Sequence, residues 1–248
     1  MKTLKAILLA GALSLSSLNA TAENSIESLV QHFKGKGYEI QNLISDPRFE
    51  IYKNIDKSFK TSPESVVKDY KIYREKLGVE KKKNNIKKFI QDYNQPLSDA
   101  EKKYGIPKEV IASVIGVESD FGKNIGKYYA FNSFASLFVK DYKTNFALTE
   151  MESLLKFSKK NNVSVFDLKS SYAGAIGYAQ FIPSSLNSYF VGDSVYDMED
   201  SINSVANYLK SAKKRTGKLN RAVYAYNHSE FYVKAVFEIA EAGKSNNH

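Results

Sequence analysis

The stretch GIPKEVIASVIGVESDFG, residues 105–122, decides the fold class, because it carries the start and stop signals of a helix. Pro107 suits the first helical position, where a missing N–H costs nothing, and Glu109 suits the positive end of the helix dipole. Gly122 is able to end the helix in the left-handed conformation that other residues avoid. The stretch therefore predicts a helix between these signals.

The apolar face of this helix includes a carboxylate. Ile111, Val114 and Ile115 recur at the i, i+3, i+4 spacing of one buried face, and the next position in the series is Glu118. Burying a charged carboxylate is costly unless it is paired or protonated. We therefore predict that Glu118 faces the core, or a cleft cut into it, near the C-terminal end of the helix.

The first 22 residues have the three parts of a secretory signal. Lys2 and Lys5 precede a short apolar run, and Ala20-Thr21-Ala22 forms a small-x-small cleavage site. We expect cleavage after Ala22 and export to the periplasm. The alternative, an uncleaved membrane anchor, is weaker, because the apolar run is shorter than the roughly 20 residues that span a bilayer. No transmembrane span is expected in the mature chain.

Composition excludes several classes of protein. The chain has no cysteine, which excludes a disulfide-stapled scaffold, thiol chemistry and a lipid-carrying N-terminal cysteine. Its 36 basic and 27 acidic residues give a net charge of +9. Most basic residues are dispersed lysines rather than the arginine forks of a nucleic-acid reader, so no nucleic acid is expected as a partner. A basic exported protein is instead attracted to anionic polymers such as the cell wall.

Helical periodicity continues along most of the chain. Ser25 is predicted to cap one helix, Ser62 with Pro63 to begin another, and a break near Pro96 to separate two more. Three later helical segments cover 144–162, 195–215 and 222–243, the last with a polar interruption at 227–229. Strand-like alternation is scarce, and there is no internal repeat. The sequence therefore predicts a mainly α protein.

The segment SSYAGAIGYAQFIPSS, residues 170–185, is dense in glycine and alanine. Such residues let a backbone or a ligand come close, but tight helix packing uses the same residues and is favoured on composition alone. Ser171 and Gln180 favour a pocket, because they are hydrogen-bonding groups among apolar neighbours.

A third segment, YAYNHSEFY, residues 224–232, surrounds Asn227 with aromatic rings. Aromatic faces beside amide and hydroxyl groups suit sugar rings, although a tyrosine-rich core helix has the same spacing. The chain has 17 tyrosines and no tryptophan, so any stacking platform is Tyr or Phe.

The sequence lacks the residues that several other kinds of catalytic site require. Three scattered histidines do not suit a zinc site, and no P-loop, dinucleotide fingerprint or Gly-x-Ser-x-Gly elbow is present. A carboxylate enzyme remains. Most glycosidases use two carboxylates, and the sequence alone selects no partner for Glu118 among Asp120 and the acidic residues at 193, 197, 199 and 200.

The strings VIGVESDFG, SYAGAIGYAQFIPSS, SVANYL and YNHSEFY resemble the membrane-bound lytic murein transglycosylase B family. The resemblance runs from about Tyr73 to about Ala240. It implies a lysozyme-like helical catalytic domain at 101–248, with a helical N-terminal region at 23–100 packing on it. It also implies a lyase that cleaves the β-1,4 bond between N-acetylmuramic acid and N-acetylglucosamine in peptidoglycan.

In this family one glutamate, in a Glu-Ser/Thr-x-aromatic-Gly motif, acts as general acid and then as base, and the product has a 1,6-anhydro end. The motif here is Glu118 to Gly122. The resemblance implies that the following residues contact the glycan: Ser171, Gln180, Phe181, Tyr208, Tyr226, Asn227 and, less closely matched, Tyr73. An apolar wall on the Ile111 and Ile115 side is expected to raise the pKa of Glu118.

Some members carry an EF-hand-like calcium loop after the Pro-Ser-Ser segment. Here the shorter VGDSVYDMED, residues 191–200, lacks the Asp-x-Asp-x-Asp-Gly pattern, so we predict no cofactor and no metal. Two alternatives stay open, a muramidase that hydrolyses the same bond and an inactive peptidoglycan-binding protein. Expected partners are peptidoglycan glycan strands, with cell-wall synthesis or division proteins as candidates.

Overall fold

The computed structural model describes residues 25–61 and 66–244. The predicted signal peptide and the predicted helix start at Ser62 and Pro63 lie outside these residues. Within them the chain forms thirteen helices and two short strands, which confirms the mainly α prediction.

The N-terminal helices precede the segment that carries Glu118. They are α1 (Ile26–Gly35), α2 (Gln41–Ile44), α3 (Ile55–Lys60), α4 (Tyr70–Leu77), α5 (Val79–Asp92) and α6 (Asn94–Tyr104). The remaining elements are α7 (Lys108–Ser119), β1 (Tyr128–Tyr129), α8 (Ala130–Val139), α9 (Thr144–Asn161), β2 (Lys169–Ser170), α10 (Pro183–Tyr189), α11 (Met198–Thr216), α12 (Leu219–Tyr226) and α13 (Glu230–Gly243).

Side-chain caps begin several of these helices. Ser25 accepts the backbone N–H of Ser28 and, with the Ser28 hydroxyl, forms a capping box, as the predicted cap requires. Asp197 caps α11 and Ser229 caps α13. The polar interruption at 227–229 therefore separates two helices, because it supplies the cap of the second.

One predicted helix boundary differs from the structure. The start predicted at Ser62 lies outside the described residues, within which α4 begins at Tyr70, where Asp69 accepts the N–H of Ile72 and caps the helix. The break predicted near Pro96 lies at Tyr93, and Pro96 occupies the first turn of α6. Proline fits a first turn, where its missing N–H leaves no helical bond unmade.

Helix α7 lies at the centre of the core. It packs against α5, α6, α11 and α13, and every residue from Val110 to Gly116 is buried. A helix that is apolar on all sides needs such an enclosure. The helix whose C-terminal end carries Glu118 is therefore held by four neighbouring helices.

The two strands pair in antiparallel register, Tyr128 with Ser170 and Tyr129 with Lys169. They join the loop after α7 to the glycine-rich segment at 170–185. This short pairing lies next to Glu118 and brings residues distant in sequence to one side of it.

The division of the chain at residue 100 stays a prediction. That position falls inside α6, and α5 packs directly on α7 and α13. Among the described helices, none combines the length and hydropathy needed to cross a bilayer.

Candidate active site

The end of α7 places Glu118 in the last helical turn, where it is half-buried. Pro107 is the N-cap rather than the first helical residue, with ψ at 134°. The predicted stop at Gly122 comes two residues late. Asp120 ends the helix in the left-handed region with φ at 50°, and Phe121 and Gly122 continue there at 60° and 84°.

A cavity of about 530 Å³ opens beside Glu118. We call it the Glu118 cleft, and it is lined by Glu118, Asn124, Gly126, Lys127, Tyr128, Ser171, Tyr172 and Gln180. The predicted residues Ser171 and Gln180 thus lie in one cavity with Glu118. Among the described residues that line it, Glu118 is the sole carboxylate.

Tyr232 holds the Glu118 side chain. Its hydroxyl donates a hydrogen bond to Oε1 of Glu118 at 2.6 Å, and the Tyr232 side chain is 1% exposed. Burial, and then the nearby Glu118 carboxylate, raises the pKa of the Tyr232 hydroxyl well above its ordinary value. Tyr232 therefore stays protonated and acts as a fixed donor.

The two polar residues of the glycine-rich segment are positioned by its backbone. Gln180 has φ at 48°, and its side-chain amide donates to the carbonyl of Gly177 at 2.8 Å. The Ser171 hydroxyl accepts the N–H of Ala175 at 3.2 Å. These local bonds fix both side chains at the edge of the cleft.

The glycines of the segment serve close packing. A Cβ on Gly174 would lie 2.2 Å from the Phe134 ring, and one on Gly177 would lie 2.4 Å from the Val195 carbonyl oxygen. The sequence allowed either close packing or a ligand pocket for this segment. The glycines pack closely, and Ser171 and Gln180 line the Glu118 cleft. The segment is a compact loop with isolated bridges rather than a helix.

Three further predicted residues form an aromatic cluster. The Phe181 ring is 5.8 Å from that of Tyr208 and 5.6 Å from that of Tyr226, and the two tyrosines are 4.7 Å apart. The Tyr226 hydroxyl donates to the Ala179 carbonyl at 2.6 Å, and the Tyr208 hydroxyl donates to the Ala225 carbonyl. Phe181 is 2% exposed, so it lies beneath the half-buried tyrosines and has little surface for a ligand.

The carboxylate of Glu118 also influences Tyr226. Burial is the larger cause, and the nearby Glu118 charge the next, of a Tyr226 pKa well above its ordinary value. Glu118 is therefore close to tyrosines of both α12 and α13.

The remaining predicted residues differ in exposure. Tyr73 is 1% exposed and packs on Phe231 with ring centroids 5.7 Å apart. Asn227 ends α12 and is half-buried, and its side-chain amide makes no hydrogen bond to the described part of the chain. Asn227 is therefore available to a ligand, whereas Tyr73 supports neighbouring side chains.

The alternative carboxylates have other partners. Lys81 and Lys82 approach Asp120 at 2.7 and 3.6 Å, and Lys82 is itself buried. The Asp200 carboxylate accepts the N–H groups of Asp193 and Ser194. None of these acids lines the Glu118 cleft.

The residues at 191–200 do not fit a calcium site. Asp200 closes the loop with its own hydrogen bonds, Asp197 caps α11, and the described residues contain no cluster of three metal-ligating side chains. A calcium loop needs several free oxygens directed at one point. No step of the chemistry is therefore assigned to a metal.

Sequence reasoning missed the role of Tyr232 and the cleft residues Asn124, Lys127 and Tyr128. Tyr232 and Glu118 are 114 positions apart, and no one-dimensional spacing reports such a contact. The signal available was weaker, namely that Tyr232 belongs to the aromatic segment around Asn227.

The helical fold of this chain is shared with solved lytic transglycosylases. The chain superposes on Escherichia coli Slt35 in complex with bulgecin A with a TM-score of 0.76, at 22% identity, over 88% of this chain and 91% of that one. It superposes on Pseudomonas aeruginosa SltB3 in complex with NAG-anhNAM-pentapeptide with a TM-score of 0.77, at 18% identity, over 88% of this chain and 78% of that one. The fold is therefore the lysozyme-like fold of these enzymes.

The family follows from the sequence comparison. The model of the transglycosylase SLT domain matches residues 20–220, and the chain belongs to this family. It is 36% identical over 146 residues to membrane-bound lytic murein transglycosylase B of Escherichia coli K12. That alignment covers 56% of this chain and 40% of the relative, so the chain matches about two fifths of the relative's length.

Proposed function

We propose that this protein is a peptidoglycan lytic transglycosylase, with Glu118 as its single acid and base. The observation that carries the proposal is the Glu118 cleft, where one carboxylate, held by Tyr232, faces Ser171 and Gln180 without a second carboxylate among the described lining residues. A hydrolase of the usual kind needs two carboxylates. A reaction in which the substrate supplies its own nucleophile needs one.

Protonated Glu118 gives its proton to the glycosidic oxygen between N-acetylmuramic acid and N-acetylglucosamine as the C1–O bond breaks. The resulting carboxylate takes the proton of the muramic acid 6-hydroxyl as its oxygen bonds to C1. The products are an N-acetylglucosamine end and a 1,6-anhydro end, and no water is consumed. An intramolecular nucleophile has a high effective concentration, which replaces a positioned water.

The residues around Glu118 orient its carboxylate and bind the glycan. Tyr232 orients the carboxylate, and Ser171 and Gln180 bind acetamido and hydroxyl groups at the cleft edge. Tyr226 and Tyr208, which are half-buried, present the accessible part of their rings to sugar faces, with Asn227 as a polar contact nearby. Phe181 and Tyr73 are buried, so they support the neighbouring side chains rather than contact the glycan.

The site of action follows from the substrate. We infer a periplasmic protein that meets the glycan strands of peptidoglycan, with cell-wall synthesis or division proteins as candidate partners. The basic net charge of +9 supports attraction to an anionic wall.

Mass spectrometry of digested peptidoglycan tests the proposal. The purified chain is expected to release anhydro-muramic ends, and Glu118→Gln is expected to lose turnover while its thermal unfolding stays unchanged. Reducing muramic ends without anhydro ends would indicate a muramidase. Binding of the wild-type chain to sacculi without turnover would indicate an inactive binding protein.

A further inference from the structure

A second cavity is lined by the loop that follows Glu118. Its volume is about 500 Å³, close to that of the Glu118 cleft, and the two cavities share no lining residue. It lies between Tyr93, the loop at 121–123, Tyr178 and the start of α11. A smaller cavity of about 220 Å³ adjoins it and shares Tyr93, Phe121 and Lys123. We call the two together the Tyr93 groove.

Aromatic rings form much of the surface of this groove. Four rings, those of Tyr93, Phe121, Tyr178 and Tyr196, are half-buried, and each also presents part of its surface to the groove. The Tyr178 and Tyr196 rings meet edge to face at 6.3 Å. Such rings present flat faces on which the C–H side of a sugar ring is able to stack.

The hydroxyls of the groove differ in what they bind. The Tyr196 hydroxyl accepts the Lys169 N–H at 2.5 Å, which fixes that ring to β2. The hydroxyls of Tyr93 and Tyr178 make no hydrogen bond to the described residues. Two such hydroxyls beside aromatic rings match the rim of a saccharide, which needs both donors and acceptors.

Charges of both signs line the groove. Asp197 and Glu199 belong to the larger cavity, Lys123 to both cavities, and Lys88 and Asp92 to the smaller one. Glu199 makes no ion pair within 4.0 Å in the described part of the chain. Carboxylate oxygens accept readily from sugar hydroxyls and amides, and lysine ammonium groups donate to hydroxyl and carbonyl oxygens. Because the two signs of charge are mixed, a neutral saccharide with donors and acceptors fits better than a strongly anionic nucleotide.

We propose that the Tyr93 groove is a second saccharide site, which holds a neutral amino-sugar segment of a glycan strand away from the scissile bond. The identity of that strand as peptidoglycan rests on the proposed function, whereas the saccharide chemistry rests on the groove itself. Two sites on one polymer make the second binding event intramolecular, so the groove raises retention on long strands without a new contact in the Glu118 cleft.

The groove also contacts the loop that ends α7. Phe121 and Gly122 line it, and the Phe121 ring lies so close to α7 that a Cβ on Gly116 would meet it at 2.6 Å. The N–H of Gly122 donates to the Ser119 hydroxyl at 3.0 Å. A saccharide in the groove therefore rests on residues that directly follow Glu118.

Calorimetric titration of full-length Glu118→Gln with the N-acetylglucosamine tetramer tests the inference, because binding is measured without turnover. Two binding events are expected. Adding Tyr93→Ala and Glu199→Ala removes an aromatic contact and a hydrogen-bond acceptor from the groove. We expect this double change to weaken one binding event about tenfold and to leave the other unchanged. Tyr38→Ala with Glu39→Ala, the same residue types near α1, is the matched control and is expected to change neither.

A single binding event that is insensitive to the groove changes would overturn the inference. Thermal unfolding shows whether the double variant has a folding defect. If it does, the titration is repeated with Glu199→Ala alone, because Glu199 is exposed and its replacement leaves the core intact. In the active chain, the groove changes are expected to leave turnover of a short soluble glycan unchanged and to reduce co-sedimentation with intact sacculi several-fold. Absence of turnover in the unmodified chain would contradict the proposed function and leave the tetramer titration valid.

Discussion

The Tyr232 hydroxyl donates to Oε1 of Glu118 at 2.6 Å and joins the first turn of α13 to the last turn of α7. Glu118 thereby has one oxygen directed by a buried donor, while its residue as a whole stays half-buried at the cleft. A proton shuttle needs this combination of fixed orientation and access to substrate.

We expect Tyr232→Phe to lower kcat about tenfold, which corresponds to about 1.4 kcal/mol, with a smaller change in KM. The hydroxyl stabilises the ionised carboxylate, so its removal raises the pKa of Glu118. Activity that needs protonated Glu118 should then extend to higher pH. Rates of soluble glycan release measured across pH test this expectation.

Tyr70→Phe is the matched control, because the Tyr70 hydroxyl donates to Glu238 at 2.7 Å outside the Glu118 cleft. The same atom is removed from a similar bond, so kcat and the pH profile should stay unchanged. Equal profiles for wild type and Tyr232→Phe would show that Tyr232 does not position the acid.

Asp120→Asn is expected to reduce the free energy of unfolding at pH 7 by about 1–3 kcal/mol, because it leaves buried Lys82 with a weaker partner. The hydrogen bond from Lys81, followed by the charges of Lys82 and Lys81, lowers the pKa of Asp120 against an opposing effect of burial. A lowered folded-state pKa gives stability that is present above the unfolded value near 3.8 and is lost as pH falls through the folded value.

Denaturant unfolding at pH 7 and in the acid range measures this contribution. The difference between wild type and Asp120→Asn should shrink as pH falls below 3.8. Asp92→Asn, which breaks an exposed Lys88 ion pair at 2.9 Å, serves for comparison and should cost less than about 1 kcal/mol. A loss for Asp120→Asn that is independent of pH would contradict the ionic explanation.

Gly126→Ala is expected to destabilise the fold and to reduce activity together. Gly126 has φ at +82°, and a Cβ there would lie 2.0 Å from the carbonyl oxygen of Ser170, beside Ser171. The pairing of β1 with β2 would have to shift. Gly217→Ala also has positive φ but open space, so it should cost about 1–2 kcal/mol of conformational strain alone.

Thermal unfolding and glycan release separate these two effects. A Gly126 variant with wild-type activity would show that the strand pairing does not position the cleft.

Calcium is expected to leave the unfolding temperature unchanged. A ligand that binds the native state stabilises it by mass action, and the Asp200 oxygen that a cation would need already accepts two backbone N–H groups. Calorimetric scans with excess calcium and with chelator test this. A shift of several degrees that saturates with calcium would contradict the assignment.

Local signals in the sequence predicted the helices well. Apolar spacing placed Glu118 at the end of a buried helix, and Ser25 formed its predicted cap, because both depend on neighbours within a few positions. The N-terminus of α10 shows the limit of such signals. Glu150, in α9, accepts the N–H and hydroxyl of Ser184 at 2.9 and 2.7 Å, a cap supplied from another helix.

The same limit applies to the site. Ser171 and Gln180 line the Glu118 cleft, whereas Phe181 and Tyr73 are buried, and spacing does not distinguish a ring that lines a cleft from one beneath it. The left-handed end at Asp120 was also unforeseen. Asp is among the few non-glycine residues that adopt this conformation, and its carboxylate pairs with Lys81 and Lys82, which are distant in sequence.

The enclosure of α7 by four helices makes the position of Glu118 sensitive to changes far from the Glu118 cleft. A helix advances about 1.5 Å per residue, and a slide of α7 by that amount would exceed the tolerance of a 2.6 Å bond between Tyr232 and Glu118. Val114 is fully buried in α7. A substitution there that shifts the helix is therefore expected to slow turnover before it unfolds the protein at its working temperature. The turnover rate therefore reports small shifts of α7 within the core more sensitively than thermal stability does.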